Sequence, residues 1–198
     1  MLTFRIGAPP ENTEILTSNR WHQLSGYDNT NQNMLRVVLF GFIVCAFMAA
    51  IWIALIPSSL TIGSPPLSSG LLVFFLILVV HELLHILAFP NLGFNNTVVG
   101  IWPQMGSPYM QYLLPVTRNR FIFAASMPFI VLSVLPLLAA LAGFPISVEL
   151  QWTSVINGFG AGADLMAVVQ ILRQTTSDDL VLDSGHKLYV GKLMDSSI

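Results

Sequence analysis

The sequence predicts an all-α integral membrane protein with about four transmembrane helices and a short β-hairpin-like loop after the second helix. Only 9% of the 198 residues are charged and 54% are hydrophobic, whereas soluble domains carry about 25% charged residues. The mean hydropathy of +0.71 agrees with this class. Four apolar runs reach roughly 20 residues each, the length that crosses the hydrocarbon core of a bilayer. The expected environment is therefore a lipid bilayer, and a net charge of −2 argues against nucleic acid as a partner.

The predicted spans divide the chain into three segments. A polar leader covers residues 1–34, a four-span membrane domain covers 35–172, and a polar tail covers 173–198. Pro128 and Pro136 interrupt the third span and are expected to kink it, because proline has no backbone N–H to donate. The four spans are 35–56, 71–90, 121–143 and 152–172.

The basic residues predict the orientation of the spans. A four-span arrangement places all eight Lys and Arg residues on one side of the membrane, and the other two loops, 57–70 and 144–151, contain none. Because basic residues are enriched on the cytoplasmic side, we expect a multi-pass protein of the cell membrane with both termini in the cytoplasm. These residues are Arg5, Arg20, Arg36, Arg118, Arg120, Arg173, Lys187 and Lys192.

The connection 91–120 predicts a short hairpin. Residues 97–102 have the composition of a strand, a turn rich in Pro and Gly follows, and a second extended piece is expected around 109–114. A further extended stretch is expected near 188–190. The first strand has two interpretations: plain packing, or an edge whose residues Val98, Val99 and Gly100 pair with an extended substrate peptide.

The second span carries the sequence His81-Glu82-Leu83-Leu84-His85. Histidines four residues apart lie on one face of a helix and can bind a single zinc ion, and the glutamate between them can activate a zinc-bound water. A chance match on an ordinary helix is the alternative. Ionisable side chains inside a spanning run are costly, however, and usually serve a function.

Zinc in a hydrolytic site usually has three protein ligands and one open position. The third ligand predicted here is Asp164 in the fourth span, since His22 and His186 lie in polar segments and Glu149 lies in an outer loop. Counted from the outer ends of their spans, His81, Asp164 and His85 lie at depths of about 15, 18 and 21 Å. The alternative is an acidic residue that lines a cavity or a helix contact.

Other residues near Asp164 have two interpretations each. Gly158 and Gly162 form a G-x-x-x-G element that allows close approach of helices. This approach would let the short Asp164 side chain reach the neighbouring helix, or it would serve packing alone. Asn157 is expected either to form a hydrogen bond between helices, which could orient a ligand, or to bind the substrate backbone.

This set of residues predicts amide hydrolysis at a single Zn²⁺ ion, with Glu82 as the general base that activates a zinc-bound water. Two histidines and a carboxylate also suit Fe(II). The expected substrate is a membrane-associated peptide or a transmembrane protein. The alternatives are a metal-binding membrane scaffold, sensor or transport accessory protein, and a carrier of ions or small molecules. The absence of inverted-repeat symmetry makes a carrier the weaker alternative, and the sequence leaves the oligomeric state open.

The chain also resembles a known family over roughly residues 71–190. The H-E-L-L-H motif in a membrane helix, the Gly-rich segment ending in Asp164 and the order of elements are similar to the "putative zincin peptidases", small bacterial and archaeal membrane proteins. These resemble in plan the site-2 group of intramembrane metalloproteases, from which this chain departs in having Leu165 where that group has Gly. The resemblance implies His81, His85 and Asp164 as zinc ligands and Glu82 as the catalytic acid and base.

Overall fold

The computed structural model describes residues 1–13, 17, 20–26, 30–56 and 67–192. The chain divides into two compact units, each made of separate stretches of sequence. The unit that contains the strands, called the β unit here, comprises Met1–Asn33, His85–Ala125 and Ala167–Ile198. The second, called the helical unit, comprises Met34–Leu84 and Ser126–Met166. The predicted boundaries at residues 34 and 172 stay a prediction.

Among the described residues, six α-helices and one π-helical turn occupy the apolar stretches. Two described helical segments, Gln32–Leu55 and Arg118–Leu141, are long and apolar enough to cross a membrane. The pair α5 and α6, which meet at an angle of 51°, adds a third if the two form one broken span. The described apolar part of α2, Phe74–Ala88, is shorter. The helices are α1 (Thr30–Leu55), α2 (Leu67–Ala88), α3 (Arg118–Phe129), the π-helical turn (Ile130–Val134), α4 (Leu135–Leu141), α5 (Val148–Gly160) and α6 (Gly162–Gln174).

These helices indicate association with a membrane through two or three candidate spans. The sequence predicts four, and the fourth depends on α2, whose described apolar part is shorter than a bilayer requires. The count of four therefore stays a prediction.

The two prolines predicted to interrupt the third span flank an irregular stretch of helix, and the kink expected there stays a prediction. Pro128 lies inside α3, and Pro136 lies in the first turn of α4. Between them the helix widens into a π-helical turn, in which the N–H of Leu135 donates to the carbonyl of Ile130, five residues earlier. Such turns are often found at functional sites, because they redirect side chains and free backbone groups for other partners.

The core of the helical unit joins α1, α4 and α5. Met48, Trp52, Leu137 and Val155 are all less than 10% exposed and pack together. The Trp52 indole N–H donates to the Ser154 hydroxyl at 2.9 Å. That hydroxyl in turn donates at 2.7 Å to the Ser133 carbonyl in the π-helical turn. A chain of two buried hydrogen bonds thus links α1, α5 and the π-helical turn inside an apolar core.

The G-x-x-x-G element packs against α1. A Cβ atom at Gly162 would lie 2.6 Å from the Gly41 Cα, and one at Gly158 would lie 3.4 Å from Cys45. The interpretation that these glycines bring Asp164 towards the H-E-x-x-H helix therefore needs correction, since the helix they approach is α1. The glycine that faces His81 is Gly160, where a Cβ would lie 3.9 Å from the imidazole ring.

The all-α prediction also needs correction, because the β unit contains two sheets. The first has the order β1-β3-β4, with β1 parallel to β3 and β3 antiparallel to β4. The second has the order β2-β7-β6-β5 and is antiparallel throughout. The strands are β1 (Thr3–Ile6), β2 (His22–Gln23), β3 (Thr97–Trp102), β4 (Ser107–Tyr112), β5 (Val116–Thr117), β6 (Asp179–Ser184) and β7 (Lys187–Lys192).

The predicted hairpin is confirmed as β3 and β4, and the extended stretch near residues 188–190 lies in β7. The remaining strands are two to six residues long and lie in the polar leader, the polar tail or the short link before α3. The apolar positions of β6 and β7 still form a core, since Val181, Leu182, Leu188 and Val190 are at most 5% exposed. Charged and polar residues flank and separate these positions, so the segments do not stand out as apolar in the sequence.

The interpretation of β3 as a free edge is wrong. Val98, Val99 and Gly100 pair with Thr3, Phe4 and Arg5 of β1 on one side, and with residues of β4 on the other. The tight fit explains the glycine in this strand. A Cβ atom at Gly100 would lie 2.5 Å from the Arg5 carbonyl oxygen and 2.6 Å from the Tyr109 ring.

Candidate metal centre

Helix α2 carries both histidines of the H-E-x-x-H motif. His81 and His85 lie one turn apart and are 7% and 6% exposed. The boundary between the two units falls at His85, but the uninterrupted helix alone fixes the spacing of these two side chains. The rings therefore lie side by side on one buried face, as the motif predicts.

Asp164 reaches the same face from α6. This helix begins at Gly162, directly after the 51° bend that ends α5, and Asp164 lies in its first turn. Its carboxylate oxygen Oδ2 lies 3.1 Å from Nε2 of His81, within the helical unit. Potential ligand atoms of His81, His85 and Asp164 all lie within 4.8 Å of one another. The structure thus brings together the three residues that the depth argument selects.

The partners of His81 determine which of its ring nitrogens carries a proton. Nδ1 lies 2.8 Å from Oδ1 of Asn157. The amide nitrogen of Asn157 donates to the Pro128 carbonyl at 3.1 Å and to the Ser133 hydroxyl at 2.9 Å. A carbonyl can only accept, so the amide must face it with its nitrogen and must turn its oxygen to His81. His81 therefore donates from Nδ1, and its Nε2 lies next to the Asp164 carboxylate.

His85 has the same arrangement with a different partner. Its Nδ1 lies 2.8 Å from the carbonyl oxygen of Ala124 in α3. Because this oxygen can only accept, Nδ1 of His85 is also protonated, and Nε2 is the ring nitrogen that could bind a metal ion. Metal-binding histidines commonly donate their second nitrogen to a carbonyl or carboxylate, which fixes the ring orientation.

This arrangement fits a metal ion. Nε2 of His81 lies 3.1 Å from the Asp164 carboxylate oxygen, and a metal ion bound to a neutral His81 imidazole would be held by both atoms. Two neutral imidazoles and one carboxylate are the ligands of many catalytic zinc sites, which keep the fourth position open. Fe(II) is also compatible with this set.

The other residues singled out from the sequence lie at various places. Glu82 follows His81 on α2 and is partly buried. Asn157 is 1% exposed and its side chain is bonded within the protein. Val98, Val99 and Gly100 lie in the central strand of a sheet in the β unit. His22 lies in β2, and His186 lies near the Trp102 ring, at 5.9 Å between centroids.

Sequence reasoning missed the residues that hold the histidines in place. Ser133 is buried and supplies one of the two acceptors for Asn157, and the carbonyl of Ala124 orients His85. A backbone carbonyl leaves no mark in its own residue type. A signal was nevertheless present, because Pro128 removes the N–H that would bond to the carbonyl four residues earlier, which is that of Ala124.

Comparisons with other proteins bear on the same segment. No curated protein and no solved structure matches the chain significantly. The family described as "Putative zincin peptidase" matches residues 74–178, which is more than half of the 198 residues. The matched segment includes the complete H-E-x-x-H motif, Asn157 and Asp164. The chain therefore belongs to the putative zincin peptidase family.

Proposed function

We propose that this protein is a zinc-dependent intramembrane metallopeptidase that hydrolyses peptide bonds of membrane-associated or transmembrane protein substrates. The observation that carries the proposal is the convergence of His81, His85 and Asp164, with ligand atoms within 4.8 Å of one another. The glutamate that zinc peptidases with this motif use as a base directly follows His81. Membership of the family supports the same activity.

The ligand residues would hold one Zn²⁺ through Nε2 of each histidine and the carboxylate of Asp164. Bound zinc supplies a Lewis acid that polarises the substrate carbonyl and lowers the pKa of a water molecule to near neutrality. Nε2 is the ligand atom assigned to each histidine, because each Nδ1 donates to another partner, Asn157 Oδ1 for His81 and the Ala124 carbonyl for His85. These two hydrogen bonds set the ring orientations before an ion binds.

Glu82 would perform the proton transfers. It takes a proton from the water that attacks the peptide carbon, and it then delivers this proton to the amine nitrogen as the C–N bond breaks. The charges of Asp164 and Glu82 together balance the two positive charges of the ion. Asn157 is assigned to the orientation of His81 and not to substrate binding, since its buried amide is already engaged with three partners.

The membrane arrangement proposed here has four spans and two cytoplasmic termini. The distribution of all eight basic residues supports it. The third ligand would then enter on the fourth span, which is broken between α5 and α6 next to the site. Non-helical backbone at membrane depth is tolerated where it lines a cavity or is buried in protein. Hydrolysis requires a cavity that admits water, so a break in the span is compatible with this position.

The decisive variant is Glu82→Gln, which retains the size of the side chain and removes the base. We expect purified E82Q to bind one zinc per chain, as measured by elemental analysis. Its cleavage of membrane peptides should be at least about 100-fold slower than that of the unmodified protein, because general acid–base catalysis contributes about 10²–10⁴-fold.

The outcomes separate the proposal from its alternative. Cleavage by E82Q at the normal rate would remove Glu82 from the mechanism. Both proteins are also incubated with membrane proteins isolated from cells that lack the enzyme. If both bind zinc and neither cleaves any of these proteins, the result would instead support a metal-binding scaffold, sensor or transport accessory protein.

A further inference from the structure

Pro128 lies at the point where the supports of both histidines meet. It is less than 2% exposed and lies inside α3, a helix otherwise free to form a regular hydrogen-bond ladder. In such a ladder the N–H of residue 128 would donate to the carbonyl of Ala124. Proline has no N–H, so this acceptor is released, and it receives the Nδ1–H of His85 at 2.8 Å.

The second support starts from the carbonyl of Pro128 itself. This oxygen accepts from the amide nitrogen of Asn157 at 3.1 Å. The π-helical turn that begins two residues later carries Ser133, whose hydroxyl accepts from the same amide at 2.9 Å. With its nitrogen held by two acceptors, Asn157 must present its oxygen to Nδ1 of His81.

We propose that Pro128 is a positioning residue that sets the tautomer and orientation of both histidines at the candidate metal centre. Its missing N–H frees the acceptor for His85, and its carbonyl helps to fix the acceptor for His81. The inference rests on the metal-binding part of the proposed function and does not depend on peptide hydrolysis. A single proline in α3 thereby helps to orient two histidines that both lie on α2.

A proline that only shapes the helix would act differently. Pro136 offers the comparison, because it is also buried, lies in the same interrupted span and sits in the first turn of α4 beside the core residue Leu137. If the prolines only shape the helix, replacement of either one should have similar effects on the histidine tautomers and on zinc affinity. A positioning role predicts an effect at the histidines for Pro128 alone.

The experiment compares the unmodified protein with Pro128→Ala, Pro136→Ala and Ser133→Ala in detergent micelles. Nitrogen NMR of the imidazole rings in the metal-free proteins reports the tautomer of each of the four histidines, with His22 and His186 as internal references. Zinc affinity is measured in parallel by competition with a chromogenic chelator. Thermal unfolding verifies that each variant is folded.

For the unmodified protein we expect both His81 and His85 to be protonated at Nδ1. In P128A the new N–H competes for the Ala124 carbonyl, so the His85 signals should shift towards a mixture of tautomers. The zinc dissociation constant should rise about 10- to 100-fold, the usual effect of removing a group that orients a ligand. In S133A only His81 should change, and P136A should leave both histidines and the zinc affinity unchanged.

Several results would overturn the inference. Unchanged tautomers and zinc affinity in P128A would mean that the proline serves the helix alone, as would equal losses in P128A and P136A. If the unmodified protein binds no zinc but the tautomers respond as expected, the positioning role stands and the proposed function fails. Should P128A not fold, Pro128→Gly restores the same N–H and is measured in its place.

Discussion

At the scale of single residues, the chemistry depends on which ring nitrogen of each histidine would bind the metal ion. The three candidate ligands were predictable from the sequence. The spacing of the motif places His81 and His85 on one face of a helix, and the depth argument selects Asp164. Asn157 was predictable as a group that could orient a ligand, but the Ala124 carbonyl and the Ser133 hydroxyl that holds the Asn157 amide were not. Such supports depend on which helices become neighbours, and a single sequence does not show this.

Replacement of Asn157 tests the support of His81 directly. Asn157→Ala removes the acceptor that lies 2.8 Å from Nδ1 and leaves a buried N–H without that partner. We expect zinc affinity to fall about 10- to 100-fold, as measured by chelator competition in micelles. The matched control is Thr153→Val on the same helix, whose hydroxyl donates to the Glu149 carbonyl. An equal loss in both variants would indicate general loosening of α5.

At the scale of helices and strands, length decided what the sequence could predict. The long apolar runs gave recognisable helices, and the two prolines correctly marked the interruption between α3 and α4. Strands of two to six residues in polar segments were missed, except for the hairpin and β7, because their alternation is too short to stand out. The bend between α5 and α6 was also missed, since a glycine-rich stretch is common in any membrane helix.

Close packing of α6 against α1 predicts a difference between two glycines of one motif. A Cβ at Gly162 would lie 2.6 Å from the Gly41 Cα, whereas one at Gly158 would lie at an ordinary 3.4 Å from Cys45. Backbone atoms cannot move aside as a flexible side chain can. Gly162→Ala should therefore destabilise the protein by about 1–3 kcal/mol, and Gly158→Ala should change stability by less than about 0.5 kcal/mol.

Unfolding of the two variants by denaturing detergent measures this difference. Equal midpoints for G158A and G162A would contradict the packing of the two helices described above. A loss confined to G158A would contradict it as well.

At the scale of the whole molecule, the question is how many segments of the chain span a membrane. Two described segments are long enough to span, and the bent pair α5–α6 adds a third if the two helices form one span. Composition predicted the membrane, because a chain with 9% charged residues cannot cover itself with a polar surface. The number of spans was harder to predict, since length and hydropathy do not distinguish a complete span from a shorter buried helix.

Single-cysteine labelling tests the proposed topology. Cys45 is the only cysteine, so Cys45→Ala provides a background without thiols. In that background a cysteine replacing Phe144, which is 65% exposed, should react with a membrane-impermeant maleimide in intact cells. A cysteine replacing Asp178, an exposed residue before β6, should react only after the membrane is opened. The reverse pattern, or equal labelling of both positions, would rule out cytoplasmic termini with four spans.

The strand β1 has a consequence for how this protein is handled in solution. All four of its side chains are exposed, including Phe4 at 67% and Ile6 at 73%, so backbone hydrogen bonds to β3 hold it in place. Without it, β3 would present a row of unpaired amides and carbonyls, which other chains readily join. Removal of the first six residues should thus promote aggregation.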